Sequence, residues 1–117
     1  MFSITKIYSD GNGDSHFENV EIPLKEAGSI GKLSDAVSAT GVIFREVEAS
    51  YDWDFHTAPQ KQFIILLEGG IEIETSLGVK RIFNAGEVLL VEDTTGKGHK
   101  TRNIQPIKRK SIFIIVP

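Results

Sequence analysis

Apolar and polar residues alternate through most of this chain, and glycine, asparagine and aspartate break the alternation at short intervals. The run Ile71-Glu72-Ile73-Glu74-Thr75 is the clearest case, a strand with one face on a core and one in water. Ser76-Leu77-Gly78 turns it back into a partner strand over residues 79–83, and Asn84-Ala85-Gly86 turns the chain again into a strand over residues 88–91. Upstream, residues 1–8 predict a first strand and residues 9–15 a turn built from residues that tolerate positive φ. Residues 16–24 predict a second strand that ends near Pro23, which has no N–H for a central ladder. Phe17 and Asn19 share the phase of Glu21, so a register change is expected near Glu18. Further strands are expected over residues 41–49, 101–104 and 111–116, with a turn or short strand over residues 50–54.

Two stretches depart from the alternation. Residues 62–68 are too apolar for a strand with a wet face, so both faces should be covered, one by the core and one by a second sheet or subunit. Residues 25–40 carry Gly28, Gly31 and many small residues, and admit a short helical turn or a loose strand. Nowhere does a long helical period develop. Eight to ten short strands with frequent glycine turns predict an all-β sandwich or barrel. A double-sheet jelly roll is an economical way to hide that many strand edges. A chain of 117 residues suits one domain spanning residues 1–117.

Composition removes several function classes. There is no cysteine, which excludes disulfides, thiolate chemistry and cysteine-type zinc sites. The net charge is −3, against the basic stripe that nucleic-acid binding usually needs. The one basic run, Lys108-Arg109-Lys110, reads as a solvated edge or turn before the last strand. The longest apolar runs fall far short of a membrane span, and the start of the chain lacks the apolar run of a signal peptide. A cytoplasmic protein with neither nucleic-acid nor membrane partner is expected.

The chemistry concentrates in two clusters, Asp54 to Gln62 and Glu92 to Asn103, each beside an apolar strand. Their spacing resembles the small single-domain cupins of the RmlC-like jelly-roll type. The usual first cupin motif runs Gly, five residues, His-X-His, three or four residues, Glu, six residues, Gly. Counting back from Gly69 puts Gln62 at the Glu position and His56 and Ala58 at the two His positions. The usual second motif ends in His, three residues, Asn, which His99 and Asn103 match after Gly86 opens it. Residues 92–98 replace its Pro-X-Gly segment and are two residues longer. The resemblance implies a jelly-roll barrel. It also implies a subgroup with an incomplete metal-ligand motif, whose members mostly lack an assigned reaction.

By that resemblance His56, Gln62 and His99 are the candidate ligands of one divalent transition metal, iron, manganese, nickel or zinc. Asp93 or Glu92 would add a carboxylate if the longer loop folds inward. A two-His, one-carboxylate set with open positions is typical of non-haem iron. The competing reading is that both histidines hydrogen-bond inside a polar cavity without metal. His99 and Asp93 are the candidates for proton transfer. Lys97, between two glycines, Phe55 and Thr101 are the candidate substrate contacts. His16 and the aromatic pair Trp53 and Phe63 are expected to be structural. Arg81 is expected to face outward, and Arg45 needs an anionic partner if it points inside. Two functions remain open: a metal-dependent oxygenase or isomerase acting on a small polar or anionic metabolite, and a non-catalytic metabolite sensor. Related cupins commonly dimerise, and a homodimer is expected.

Overall fold

The structure is a computed structural model that describes residues 2–117; Met1, placed above in the first strand, lies outside the described residues. In chain order the strands are β1 (Phe2–Ser9), β2 (Ser15–Ile22), β3 (Lys25–Glu26), β4 (Lys32–Leu33), β5 (Gly41–Val47) and β6 (Asp52–His56). They continue with β7 (Gln62–Glu68), β8 (Ile71–Thr75), β9 (Lys80–Phe83), β10 (Val88–Val91), β11 (His99–Asn103) and β12 (Arg109–Ile115). The described residues contain no α-helix, only a single 3₁₀ turn at Gly28–Ile30. The all-β class read from the alternation therefore holds. The strand count exceeds the expected range because residues 25–40 form both a 3₁₀ turn and the two-residue ladder β3–β4.

The strands form a six-stranded sheet in the order β2-β1-β10-β7-β12-β5 and a four-stranded sheet in the order β6-β11-β8-β9. Among the larger sheet's pairs only β1 and β10 run parallel. The ladders do not join into one closed ring, since β2 and β5 end one sheet and β6 and β9 end the other. The core lies between the sheets: Ile7, Leu66, Leu89 and Val91 from the larger meet Ile71, Ile73 and Phe83 from the smaller, with Ala58 from the connection after β6. These residues sit at alternate positions of their strands, as a pleat with one buried face requires.

Two registers differ from expectation. β1 and β2 pair without a break from Phe2↔Ile22 to Ser9↔Ser15, so there is no register change near Glu18. Instead Phe17 faces inward onto Phe83, ring centroids 5.9 Å apart, and it is Val20 and Ile22 that lie on the outer phase. The last strand begins at Arg109 rather than Ser111. The basic run is therefore not a solvated turn: alternation from Arg109 through Ser111 to Phe113 carries the guanidinium into the interior, where the residue is only 2% exposed.

β7 is central in its sheet; its inner face is covered by the core, as its composition suggested, while its outer face remains partly exposed, with Leu67 at 49%. Its inner face carries Gln62, Ile64 and Leu66, and its outer face Phe63, Ile65 and Leu67. Phe63 and Ile65 belong to two apolar rows across four strands. One row runs Phe44, Ile112, Ile65, Val88, and the next runs Val42, Ile114, Phe63, Leu90. Phe44 is 80% exposed at the edge of that face. No helix among the described residues is long and apolar enough to cross a membrane.

Candidate functional site

β6 and β11 are neighbours in the four-stranded sheet, and their register places His56 directly opposite His99. The two imidazole centroids are 4.6 Å apart. Histidines 43 positions apart in sequence thus meet because the two clusters are adjacent antiparallel strands. β11 starts two residues before the expected strand over 101–104, which moves His99 from a loop onto the ladder.

Gly98 makes this approach feasible. It has φ of 73°, a conformation that favours glycine, and a Cβ there would overlap the carbonyl oxygen of His56. The loop before it is anchored on the β1–β2 turn. Lys97 N–H donates to the Gly13 carbonyl at 2.9 Å, Lys97 Nζ donates to Asp14 Oδ1 at 2.8 Å, and the Ser15 hydroxyl donates to the Gly98 carbonyl at 2.7 Å. Gly96 packs so tightly on the Gly13 backbone that a Cβ would collide with it. Lys97 is therefore a surface anchor for the loop and not a cavity residue, which removes it from the substrate contacts.

The β6–β11 ladder contains a bulge. His99 pairs with His56, yet Thr101 pairs with Trp53, so three steps on β6 match two on β11. A bulge re-aims side chains. Here it brings Trp53 and His56, which strict alternation would set on opposite faces, onto the same cavity, with their rings stacked at 3.8 Å and 7°. Phe55 is left outside, exposed and under the ammonium of Lys100 at 5.3 Å, so it too is not a cavity contact.

His56 Nδ1 lies 2.9 Å from the backbone carbonyl of Asp54. A carbonyl only accepts, so Nδ1 carries the hydrogen and Nε2 is left with its lone pair. Burial holds the His56 pKa below its ordinary value; the bond to Asp54 opposes that shift and the neighbouring His99 adds to it. His99 Nδ1 is 2.5 Å from Oδ2 of Asp93, a residue with no exposed surface. The carboxylate fixes His99 in the same tautomer, again leaving Nε2 for a ligand. Asp93 does fold inward, but it stands behind His99 and does not line the cavity. Its backbone carbonyl accepts from Ala58 N–H at 3.0 Å, tying the two clusters together a second time. Glu92 turns to the surface and pairs with Lys61 at 3.3 Å.

The cavity has a volume of about 100 Å³, enough for one small metabolite and too little for a polymer. Gln62, His99 and Thr101 all line it, as does Ala58 at the second His position. Gln62 is 2% exposed, and its Oε1 has no hydrogen-bond partner. The cavity wall also holds Arg45, the residue expected to need an anionic partner if it pointed inside, together with Tyr51 and Arg109, which the sequence did not single out as a site. Both guanidiniums lie over the Tyr51 ring, Arg45 at 5.0 Å and Arg109 at 5.1 Å. Burial, together with the charge of Arg45, pushes the Arg109 pKa down to about 10, which still leaves it cationic at neutral pH. A signal for Arg109 was present, since it keeps the phase of Ser111 and Phe113, but the flanking lysines masked it. Arg81 shares the phase of Phe83 and so points between the sheets rather than outward; it donates to Asn19 Oδ1 at 3.0 Å, away from this cavity. His16 pairs with Asp10 at 2.6 Å and stacks on Tyr8 in the first hairpin, also away from the cavity.

No protein-family model matches the chain, and no curated protein is significantly similar to it. Among solved structures, protein NMB1881 from Neisseria meningitidis is similar at 18% identity, with 69% of this chain and 79% of that one covered and a TM-score of 0.49. A protein described as a putative ethanolamine utilization protein Q (EutQ) from Salmonella typhimurium LT2 is similar at 18% identity over 100% of this chain and 97% of that one, with a TM-score of 0.44.

Two outcomes follow from this geometry. Gly98→Ala forces a Cβ into the β6 backbone at a positive φ, and should lower unfolding free energy by roughly 2–5 kcal/mol in urea denaturation. Wild-type stability in Gly98→Ala would show that the approach is not needed. The depressed His56 pKa means that the unfolded chain binds the proton first. Stability should therefore fall as pH drops below the ordinary histidine value of about 6.5 and level off beneath the folded pKa. Melting curves of His56→Gln should show a shallower fall over that window, and an identical fall would locate the acid sensitivity elsewhere.

Proposed function

We propose that this chain is a cupin-type enzyme that moves a proton on a small metabolite held between the two sheets. The cupin assignment is supported by the motif spacing around His56, Gln62, His99 and Asn103, and by two facing, mostly antiparallel sheets that bring both motifs to one cavity. The observation that carries the reaction type is the buried Asp93–His99 hydrogen bond beside that cavity. His99 Nε2 takes a proton from a C–H or O–H of the ligand. Asp93 stabilises the imidazolium that forms, and His99 returns the proton at a neighbouring position. The step is a tautomerisation: the proton leaves one atom and is returned at its neighbour, no electron is lost, and no co-reactant is needed. His56, neutral through burial and held flat by Trp53, accepts a hydrogen bond from the ligand and orients it. Thr101 and Gln62 supply the remaining polar contacts.

The cupin family also implies a divalent metal. Its donors here would be the Nε2 atoms of His56 and His99 and the orphaned Gln62 Oε1. Those residues do not fit a resident dication. Ala58 removes one imidazole, the Glu position holds a neutral amide, and Asp93 is committed to His99. No cluster of three His, Cys, Asp or Glu suited to a metal occurs among the described residues. Two guanidiniums on the same cavity oppose a second positive charge as well. Iron, manganese, nickel or zinc is therefore expected far below one per chain.

The expected readout is deuterium incorporation from solvent into small hydroxy and keto acids. Asp93→Asn and His99→Gln should slow it by about 10²–10⁴-fold while ligand binding persists. Undiminished exchange in Asp93→Asn would refute the dyad. Binding without exchange for every bound compound favours the non-catalytic sensor. Stoichiometric metal that disappears in His56→Ala would restore the metal reading.

A second copy of this chain is the partner proposed for the outer face of the six-stranded sheet. The two apolar rows there are long for a wetted surface. Lys110 stands opposite Glu46 at their end, so a two-fold copy would meet opposite charges at its rim. Light scattering at micromolar concentration should give a dimer mass, and Phe44→Glu a monomer; a monomeric parent protein would sink this.

A further inference from the structure

The charge lining the cavity does not match the chain that forms it. The chain carries 16 acidic residues against 13 lysines and arginines, yet the cavity wall includes Arg45 and Arg109 and no aspartate or glutamate. Neither arginine has a carboxylate within ion-pair distance among the described residues. Arg109 is 2% exposed and spends one N–H on Asn103 Oδ1 at 2.8 Å. Its Nη2 is buried with no partner. The hydroxyl of Ser111 is a second buried group without a partner. Register places these groups together: Ser111 follows Arg109 by two residues on β12 and sits opposite Arg45 on β5, so all three share one face. Stacking on Tyr51 supports the guanidinium planes but does not neutralise them.

A buried, unpaired guanidinium is among the costliest arrangements a core can hold. Arg109 is buried in this way, and the half-buried Arg45 lies over the same ring on the same cavity, so two cations share one wall with no carboxylate between them: a site that lacks its anion. We propose that Arg45 and Arg109 form an oxyanion clamp for the carboxylate or phosphate of a small organic ligand. The planar fork of arginine suits either group, and the short, enclosed cavity limits the ligand to a small molecule. The clamp rests on the reading of this cavity as the ligand site. It adds an orientation to that reading: the anionic end goes to β5 and β12, and the reacting end to His56 and His99 on β6 and β11. Asn103 acts as a positioning residue, holding Arg109 Nε so that Nη2 points at the ligand.

The test is a thermal-shift and calorimetric titration of the full chain with sodium acetate and, separately, sodium phosphate, with sodium chloride matching ionic strength. A saturable rise in melting temperature is expected with at least one anion and not with chloride. The anion that saturates at lower concentration identifies the ligand's headgroup. Arg45→Met and Arg109→Met should each weaken the response roughly tenfold or more, as expected for loss of a charge-assisted hydrogen bond. If Arg109→Met does not fold, Arg45→Met, on the edge strand, decides the matter. No response beyond matched chloride, or an unchanged response in Arg45→Met, overturns the clamp. His99→Gln should keep the anion response. If His99→Gln abolishes it while Arg45→Met retains it, the anion sits at the dyad, and the clamp falls while the proton-transfer reading survives.

Discussion

The contact between the Gly98 backbone and the carbonyl of His56 is the constraint on which the rest of the site depends. The imidazoles face each other at 4.6 Å because His56 and His99 are direct ladder partners, and the chain entering β11 lies almost on the backbone of β6. Only a residue without Cβ, and at ease with positive φ, permits that. The surrounding loop is organised to hold Gly98 in place. Gly96 lies on Gly13, Lys97 reaches Asp14, and the Ser15 hydroxyl binds the Gly98 carbonyl, so the first hairpin braces a loop more than eighty residues away. The hairpin's polar turn and the lysine between two glycines thus have one structural purpose, to fix the approach of β11 to β6.

That constraint has a chemical consequence. Once His99 is pinned to β6, the preceding loop can place Asp93 only behind the ring, where it sets the tautomer, and not in front, where it would compete for a metal. A carboxylate used in this way fixes the ring and raises the basicity of Nε2, the atom left for the cavity. The same cavity gathers positive charge at its other end, where Arg45 and Arg109 share the face of Tyr51. The site is therefore polarised, with proton-accepting nitrogens on the smaller sheet and cationic donors on the larger. A small anion can bridge that gap between sheets, and each sheet contributes what the other lacks.

Much of this was legible along the chain where local pattern and spacing carry the information. The period-two alternation, the glycine turns and the absence of helical periodicity fixed the all-β class, because those features are set by backbone sterics residue by residue. The spacing of the two polar clusters was enough to expect His56 and His99 at one cavity, with Gln62 and Thr101 nearby. The apolar β7 announced a strand whose inner face lies on the core; its outer face stays partly exposed within the single chain, with Leu67 at 49%.

What escaped were features created by offsets between strands. Trp53 joins His56 only because a bulge inserts an extra step into β6, and no alternation rule encodes an offset that depends on the partner strand. Arg109 looked like one cation in a solvated run, because its burial is decided by where β12 starts pairing with β5 and β7. Lys97 and Phe55 looked like ligand contacts, yet one is consumed by a turn from the far end of the chain and the other is pushed outward by the same bulge. The sequence alone determined which segments are strands and which histidines could meet, since hydrophobic periodicity is local. Which charged and aromatic side chains face the cavity was settled by tertiary pairing, since a one-residue change in register reverses the face of everything beyond it.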